Sequence, residues 1–229
     1  MRRYLVGAAL TAITFATPAA AATEIFYEDF ESVEDSNGDT IGTTGTGFTN
    51  VTTAGPWRAG SAANKKIELQ FGNVAGAPAT PPTGDGGRVF VELDTNANNS
   101  MFYTLQQSGD FTLEFLYSPR PRVGSLSNII EVVVNGVLLG SLGGPAMGTN
   151  SSTAWTQQSF SFRAFAGQNI ELRAAGTSDS LGGYIDNTRL TLISAVPEPA
   201  TWLMMILGLG VIGGAMRRRP KQTVSVNYA

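Results

Sequence analysis

In Phe111-Thr112-Leu113-Glu114-Phe115-Leu116-Tyr117 the odd-numbered positions are all large and apolar, and this period of two is the strongest constraint in the sequence. A strand sends successive side chains to opposite faces, so residues 111, 113, 115 and 117 present one aromatic and aliphatic stripe to a core. Similar short segments follow one another along the chain, at 25–30, 67–71, 88–93, 101–105, 129–134, 137–139, 159–165, 169–174 and 184–193. Gly, Asn, Ser and Pro separate them, as expected for antiparallel strands joined by turns. Asn135-Gly136 between two of the segments supplies the positive φ values of a type I′ hairpin. With no amphipathic helix pattern among about ten strand candidates, the expected fold class is all-β, a jelly-roll-like antiparallel β-sandwich. Residues 35–56 and 73–87, rich in Gly, Thr, Ala and Pro, read as surface loops, and no internal repeat is present.

The ends differ from this middle. Arg2 and Arg3 precede an apolar run over 4–15 and then the small residues Thr17 to Ala22, which is the pattern of a secretory signal peptide cut after Ala22. The run is shorter than the about 20 residues a membrane span needs. A core helix at the extreme N-terminus would have nothing to pack on. The organisation expected is a signal peptide at 1–22, one β-sandwich domain at 23–196, a C-terminal segment at 197–219 containing a transmembrane helix at 202–216, and a cytoplasmic tail at 220–229. Residues 23–196 hold nine basic residues against seventeen acidic ones, a net of −8, which the whole-chain figure of −3 conceals. Such a domain is a poor nucleic-acid partner, because neutralising phosphates takes a basic face. Calcium or a neutral sugar suits it better. The sequence has no Cys and no His. That excludes Ser-His-Asp and Cys-His nucleophiles, His/Cys zinc sites and the common haem and iron-sulfur ligations.

At the C-terminal end, Val196-Pro197-Glu198-Pro199 is held extended, since each proline disfavours helix in the residue before it. Fifteen apolar residues from Trp202 to Met216 follow, then Arg217, Arg218 and Arg219. Trp suits the membrane interface, and the arginines form a cytoplasmic stop that fixes orientation. Fifteen residues cover about 22 Å, short of the roughly 30 Å hydrocarbon core, although snorkelling arginines lengthen the effective span. Gly208-x-Gly210-x-x-Gly213 matches a dinucleotide-binding pattern. No strand leads into it, and Gly210-x-x-x-Gly214 in an apolar helix reads instead as a close-packing surface.

Pro197-Glu198-Pro199, Trp202, Met204-Met205, the glycines and the three arginines occur together and in order, and this segment resembles the PEP-CTERM sorting domain in its Trp-containing variety. The resemblance covers about a tenth of the chain. It implies an exported protein of a Gram-negative bacterium, processed near Pro197 by an exosortase and associated with exopolysaccharide or biofilm, with the helix a transient membrane anchor. Two departures stand out: Leu203 where Ala is usual after the Trp, and residues 220–229 beyond the arginines.

Inside the domain, Glu28-Asp29-Phe30-Glu31 and Gly183-Tyr184-Ile185-Asp186-Asn187-Thr188-Arg189-Leu190 resemble the first and last strands of jelly-roll carbohydrate-binding modules, whose ends share a structural Ca²⁺. The resemblance implies Glu31, Asp186 and Asp29 as ligands, calcium being the one cofactor suggested. Ca²⁺ takes six to eight oxygens, which carboxylates on adjacent strands can supply. Asp186 serving a turn or pairing with Arg189 is the competing reading. Asp35-Ser36-Asn37-Gly38-Asp39 has oxygens at alternate positions but lacks the Glu an EF-hand requires, Thr46 standing there instead. Trp57 and Trp155 are candidates for stacking on sugar rings, against the commoner reading as core residues. Glu92, Glu114, Glu131 and Glu171 all sit in strand segments, where two within about 5.5 Å, or 6.5–9.5 Å for inversion, would serve a glycosidase. The function expected is non-catalytic: a surface or matrix protein whose sandwich binds glycan, with a dedicated lectin-like module or a carboxylate hydrolase as alternatives.

Overall fold

The computed structural model describes residues 20–34, 38–41, 45–60, 66–72, 87–143, 155–195 and 199–217. Residues 1–19 of the expected signal peptide, the loop triplet Asp35-Ser36-Asn37, Pro197, Glu198, Arg218, Arg219 and the expected tail at 220–229 lie outside the described residues. The domain Ala22–Ser194 and the C-terminal helix belong to different compact units and are taken in turn.

The domain is all-β, built as two antiparallel sheets. In chain order the strands are β1 (Ala20–Glu28), β2 (Gly47–Val51), β3 (Thr53–Ala54), β4 (Trp57–Ala59), β5 (Ile67–Phe71), β6 (Val89–Glu92), β7 (Ser100–Thr104), β8 (Gly109–Ser118), β9 (Ile129–Val134), β10 (Val137–Leu142), β11 (Thr156–Ala164), β12 (Asn169–Ala175) and β13 (Tyr184–Ala195). The seven-stranded sheet runs β11-β8-β13-β6-β5-β2 with β1 paired to β13, and the six-stranded sheet runs β10-β9-β12-β7-β4-β3. The last eight strands thus form the arrangements β6-β13-β8-β11 and β7-β12-β9-β10, in which the chain crosses repeatedly between sheets. This is the jelly-roll order of two Greek keys.

The expected stripe on β8 faces the core as the period of two requires. Phe111, Leu113 and Phe115 are buried with Leu69, Val91, Met101, Ile130, Val132, Ile170, Leu172 and Leu190 from both sheets. The Asn135-Gly136 hairpin forms as expected, with φ of 48° and 81°. All ten anticipated strands are present. Three more go beyond them, β2 and β3 within the stretch 35–56 read as a loop and β4 just after it, which is the main correction to the fold. They are short and rich in Gly, Thr and Asn, so neither length nor propensity announces them. A bulge interrupts β13: Asp186 pairs with Leu116 and Arg189 with Glu114, one extra residue on β13, with Asn187 at φ 49°.

A helix, α1, runs over Pro199–Arg217, longer than the 202–216 expected. Proline suits a first helical position and Arg217 suits the last turn, where the helix dipole is negative. Its described side chains, from Met204 onward, are exposed. Among the described residues no helix is long and apolar enough to cross a membrane.

Candidate functional site

The polar chemistry gathers on the outer face of the seven-stranded sheet. Its register aligns Asn50, Glu68, Glu92, Tyr184 and Ser118 in one row across β2, β5, β6, β13 and β8, and Phe48, Gln70 and Phe90 in the next. Directly opposed side chains on one face stand about 4.5–5.5 Å apart at Cβ, so Glu68 and Glu92 are a close carboxylate pair.

Glu92 is fully buried and is held by donors alone. Arg120 Nη1 lies 2.7 Å from both of its oxygens, and the Gly182 N–H and Gln70 Nε2 also donate to it. Gln70 Nε2 donates equally to Glu68 Oε1 at 3.0 Å. Arg120 is itself fixed, its backbone N–H donating to Asn128 Oδ1 at 2.8 Å, and its guanidinium lies 5.8 Å from the centre of the Tyr184 ring. Burial pushes the Glu92 carboxyl up to about 8, with the Arg120 charge pulling the other way. Burial also raises the Glu68 carboxyl and the Tyr184 phenol.

Aromatic rings flank these groups. Phe90 and Tyr184 meet edge to face at 4.5 Å, and Trp155 packs on Phe90 at 5.9 Å and on Tyr184 at 6.5 Å. Four buried side-chain atoms among the described residues have no hydrogen-bond partner, and three are here: Gln70 Oε1, Trp155 Nε1 and Tyr184 Oη. An unmet buried polar group costs about 1–3 kcal/mol, so three in one place mark a spot where hydrogen-bonding capacity is held in reserve. Toward the sheet edge the face opens. Glu68 is half-buried, Asn50 is exposed, and Phe48 is 61 % exposed.

Past the bulge, β13 lines a shallow groove of about 190 Å³ with Tyr27, Glu114, Gln157, Asn187 and Arg189. Tyr27 Oη donates to Asn187 Oδ1 at 3.0 Å, and Arg189 both covers the Tyr27 ring at 5.0 Å and pairs with Glu24 at 3.2 Å.

The residues singled out from sequence fall differently. Trp57 is not a sugar platform: it is fully buried in the core, edge-on to Phe26 at 5.6 Å, and its Nε1 donates to Thr188 Oγ1 at 2.8 Å. Trp155 lies on the outer face as described. Glu31 Oε1 accepts the backbone N–H groups of Arg88 at 2.5 Å and Val89 at 2.7 Å, and Asp29 Oδ1 accepts from the Glu31 N–H. Asp186, at the bulge, accepts the Asn187 N–H at 2.7 Å. Among the described residues no three His, Cys, Asp or Glu side chains stand close enough together to hold a metal ion. Of the strand glutamates, Glu131 pairs with Arg173 at 2.7 Å on the other sheet, and Glu92 alone gains a carboxylate neighbour, Glu68. Sequence reading passed over Glu68, Gln70, Arg120 and Tyr184 as ligand groups, although Glu68-x-Gln70 and Phe90-x-Glu92 carry the polar phase of two adjacent strands.

Fold and site together define an all-β two-sheet domain with a polar, aromatic outer face, joined to a C-terminal helix. The helix region carries the family signature: residues 195–219 match the PEP-CTERM protein-sorting motif, which marks an exported protein with a C-terminal sorting signal and implies exosortase processing. A search of curated proteins gives no match. Among solved structures the domain is similar to a family 35 carbohydrate binding module from Clostridium thermocellum, at 18 % identity and TM-score 0.37 over 63 % of this chain and 97 % of that one. It is also similar to the CBM22-1 xylan-binding domain from Paenibacillus barcinonensis, at 13 % identity and TM-score 0.42 over 78 % and 99 %. A third is the K3 cleaved adhesin domain of Lys-gingipain from Porphyromonas gingivalis, at 14 % identity and TM-score 0.45 over 73 % and 98 %.

Proposed function

We propose that this is an exported, non-catalytic surface protein whose β-sandwich binds glycan on the outer face of the seven-stranded sheet. The observation that carries the reading is the open end of that face, where Phe48 and Asn50 are exposed beside half-buried Glu68, continuous in the same strand rows with the buried unmet atoms Gln70 Oε1 and Tyr184 Oη and their aromatic rings. Sugars present hydroxyls that both donate and accept around an apolar ring face, which is the complement of such a set. The exposed Phe48 and Asn50 at the open end offer a further stacking surface and hydrogen-bonding group. Glu92 is unsuited to acid-base work, because Arg120, Gln70 and Gly182 all donate to its carboxyl group and burial seals it from solvent.

The sorting motif supports the rest of the reading. A signal peptide at 1–22 takes the chain across the inner membrane, helix 202–216 holds it there for a time, and an exosortase cuts near Pro197 to release the domain to the cell surface or an exopolysaccharide matrix. The short span suits a temporary hold. The calcium expected between the first and last strands stays a proposal for Glu31, Asp29 and Asp186 and would require them to draw together, since among the described residues no three carboxylates converge and each of these accepts a backbone N–H.

A glycan array probed with the mature protein, in parallel with a Trp155→Ala, Phe48→Ala double variant, tests the binding. Saturable binding lost in the variant is expected, and an array blank with and without Ca²⁺ would sink the idea. Mass spectrometry of the protein from its native host should find a C-terminus near Pro197 in wild-type cells and near Ala229 in exosortase-null cells; an identical C-terminus in both refutes the processing.

A further inference from the structure

Resting on that glycan reading, we propose that the glycan taken by this face carries free amino groups and that Glu68 is the residue that reads them. The argument begins with charge. The arginines on the outer face of the seven-stranded sheet are already engaged: Arg120 with Glu92 at 2.7 Å, Arg189 with Glu24 at 3.2 Å and Arg163 with Asp110 at 3.7 Å. Arg88 donates to the Gly45 carbonyl at 2.7 Å. Lys66, just ahead of β5, is exposed and forms no ion pair with Glu68. Lys66 apart, a uronate or other acidic sugar therefore meets matched charges on a face of a strongly acidic domain. Glu68 is in the opposite position. Among the described residues no cation stands within ion-pair distance of it, and its one hydrogen bond comes from the neutral Gln70 amide.

Position and burial make that carboxylate a recognition group. It lies between the exposed edge, where Asn50 is its cross-strand partner, and the buried cluster, where Glu92 is. Gln70, 2 % exposed, keeps its Oε1 without a partner beside it, and Tyr184 Oη, also buried and unpartnered, lies near enough for both glutamates to act on it. An ammonium presents several N–H donors, so it can serve Glu68 and the Gln70 carbonyl oxygen together. Burial, with a smaller contribution from the charge of Asp94, holds the Glu68 carboxyl above its ordinary value against the Gln70 hydrogen bond and the charge of Arg120, so an arriving cation would add to what Arg120 supplies only in part. A neighbouring N-acetyl group offers neither charge nor that number of donors.

The test is calorimetric titration of the mature protein with three probes: a glucosamine hexamer, an N-acetylglucosamine hexamer and an oligogalacturonate. The glucosamine hexamer should bind about tenfold tighter than its N-acetylated form, as expected for one hydrogen bond to a charged group. The difference should shrink as salt rises, because a half-exposed pair is screened. It should vanish in Glu68→Gln, whose melting temperature staying within a few degrees of the parent shows the fold intact. Equal affinities in the parent, tighter binding of the oligogalacturonate, or a preference that survives Glu68→Gln would each overturn the inference while leaving glycan binding standing. No binding of any probe overturns the inference, and a blank glycan array beside it overturns both.

Discussion

At the scale of single residues, the core separates Trp57 from Trp155. Two tryptophans that the sequence leaves indistinguishable take opposite roles, because Trp57 finds Thr188 for its Nε1 inside the core whereas the Trp155 Nε1 is buried without a partner. Trp57→Ala should therefore cost about 3–5 kcal/mol of unfolding free energy, the range for truncating a large aromatic in a core, read from chemical denaturation. Glu92 gives a second expectation. Its carboxyl titrates near 8 in the folded domain and near the ordinary 4.5 when unfolded. Between those values the native state binds the extra proton, so stability is full below about 4.5 and falls as pH rises through about 8. Melting temperatures recorded from pH 5 to 9 should decline up to about pH 8 and level off above it, and the decline should flatten in Glu92→Gln. A melting temperature that rises across this range would show that Arg120 outweighs burial.

At the scale of elements, pattern succeeds where a strand is long and one-sided. β8 and β9 are legible because every second residue, or nearly every residue, is apolar. β3 and β4, of two and three residues, carry no period at all and exist because neighbours hold them. The site was half legible for a related reason. Phe90 and Glu92, or Glu68 and Gln70, show an outward polar or aromatic phase within one strand, but which strands lie side by side is a matter of long-range pairing that no local pattern encodes. Arg120 comes from a loop, and its arrival at Glu92 depends on Asn128 fixing the loop backbone. The β9–β10 hairpin provides the element-scale test. Gly136 sits at φ 81° with open space around it, so Gly136→Ala should cost about 1 kcal/mol through backbone conformation alone. A loss several times larger would point to a contact in place of strain.

At the scale of the whole molecule, the chain divides its labour between a folded domain and a routing signal. The domain Ala22–Ser194 contains its own core, and the motif at 195–219 begins where the last strand ends. Removing residues 197–229 should leave the domain's melting temperature within about 2 °C of that of the full chain, measured on the same day in the same detergent-containing buffer. A large drop would mean that the tail contributes to the fold.

The bulge in β13 carries a consequence for how this sequence can change over evolutionary time. One strand supplies Tyr184 to the buried cluster and Arg189 to the groove, and the single extra residue between Asp186 and Arg189 sets the phase for both. Deleting that residue would make the pairing regular and leave Arg189 and Leu190 on their present faces, since Asp186 and Arg189 would then stand two apart opposite Leu116 and Glu114. Loss of one residue at the bulge is therefore the length change that β13 can absorb. Among descendants of this chain, a strand shortened by one at that point is expected, with Tyr184 and Arg189 still facing outward.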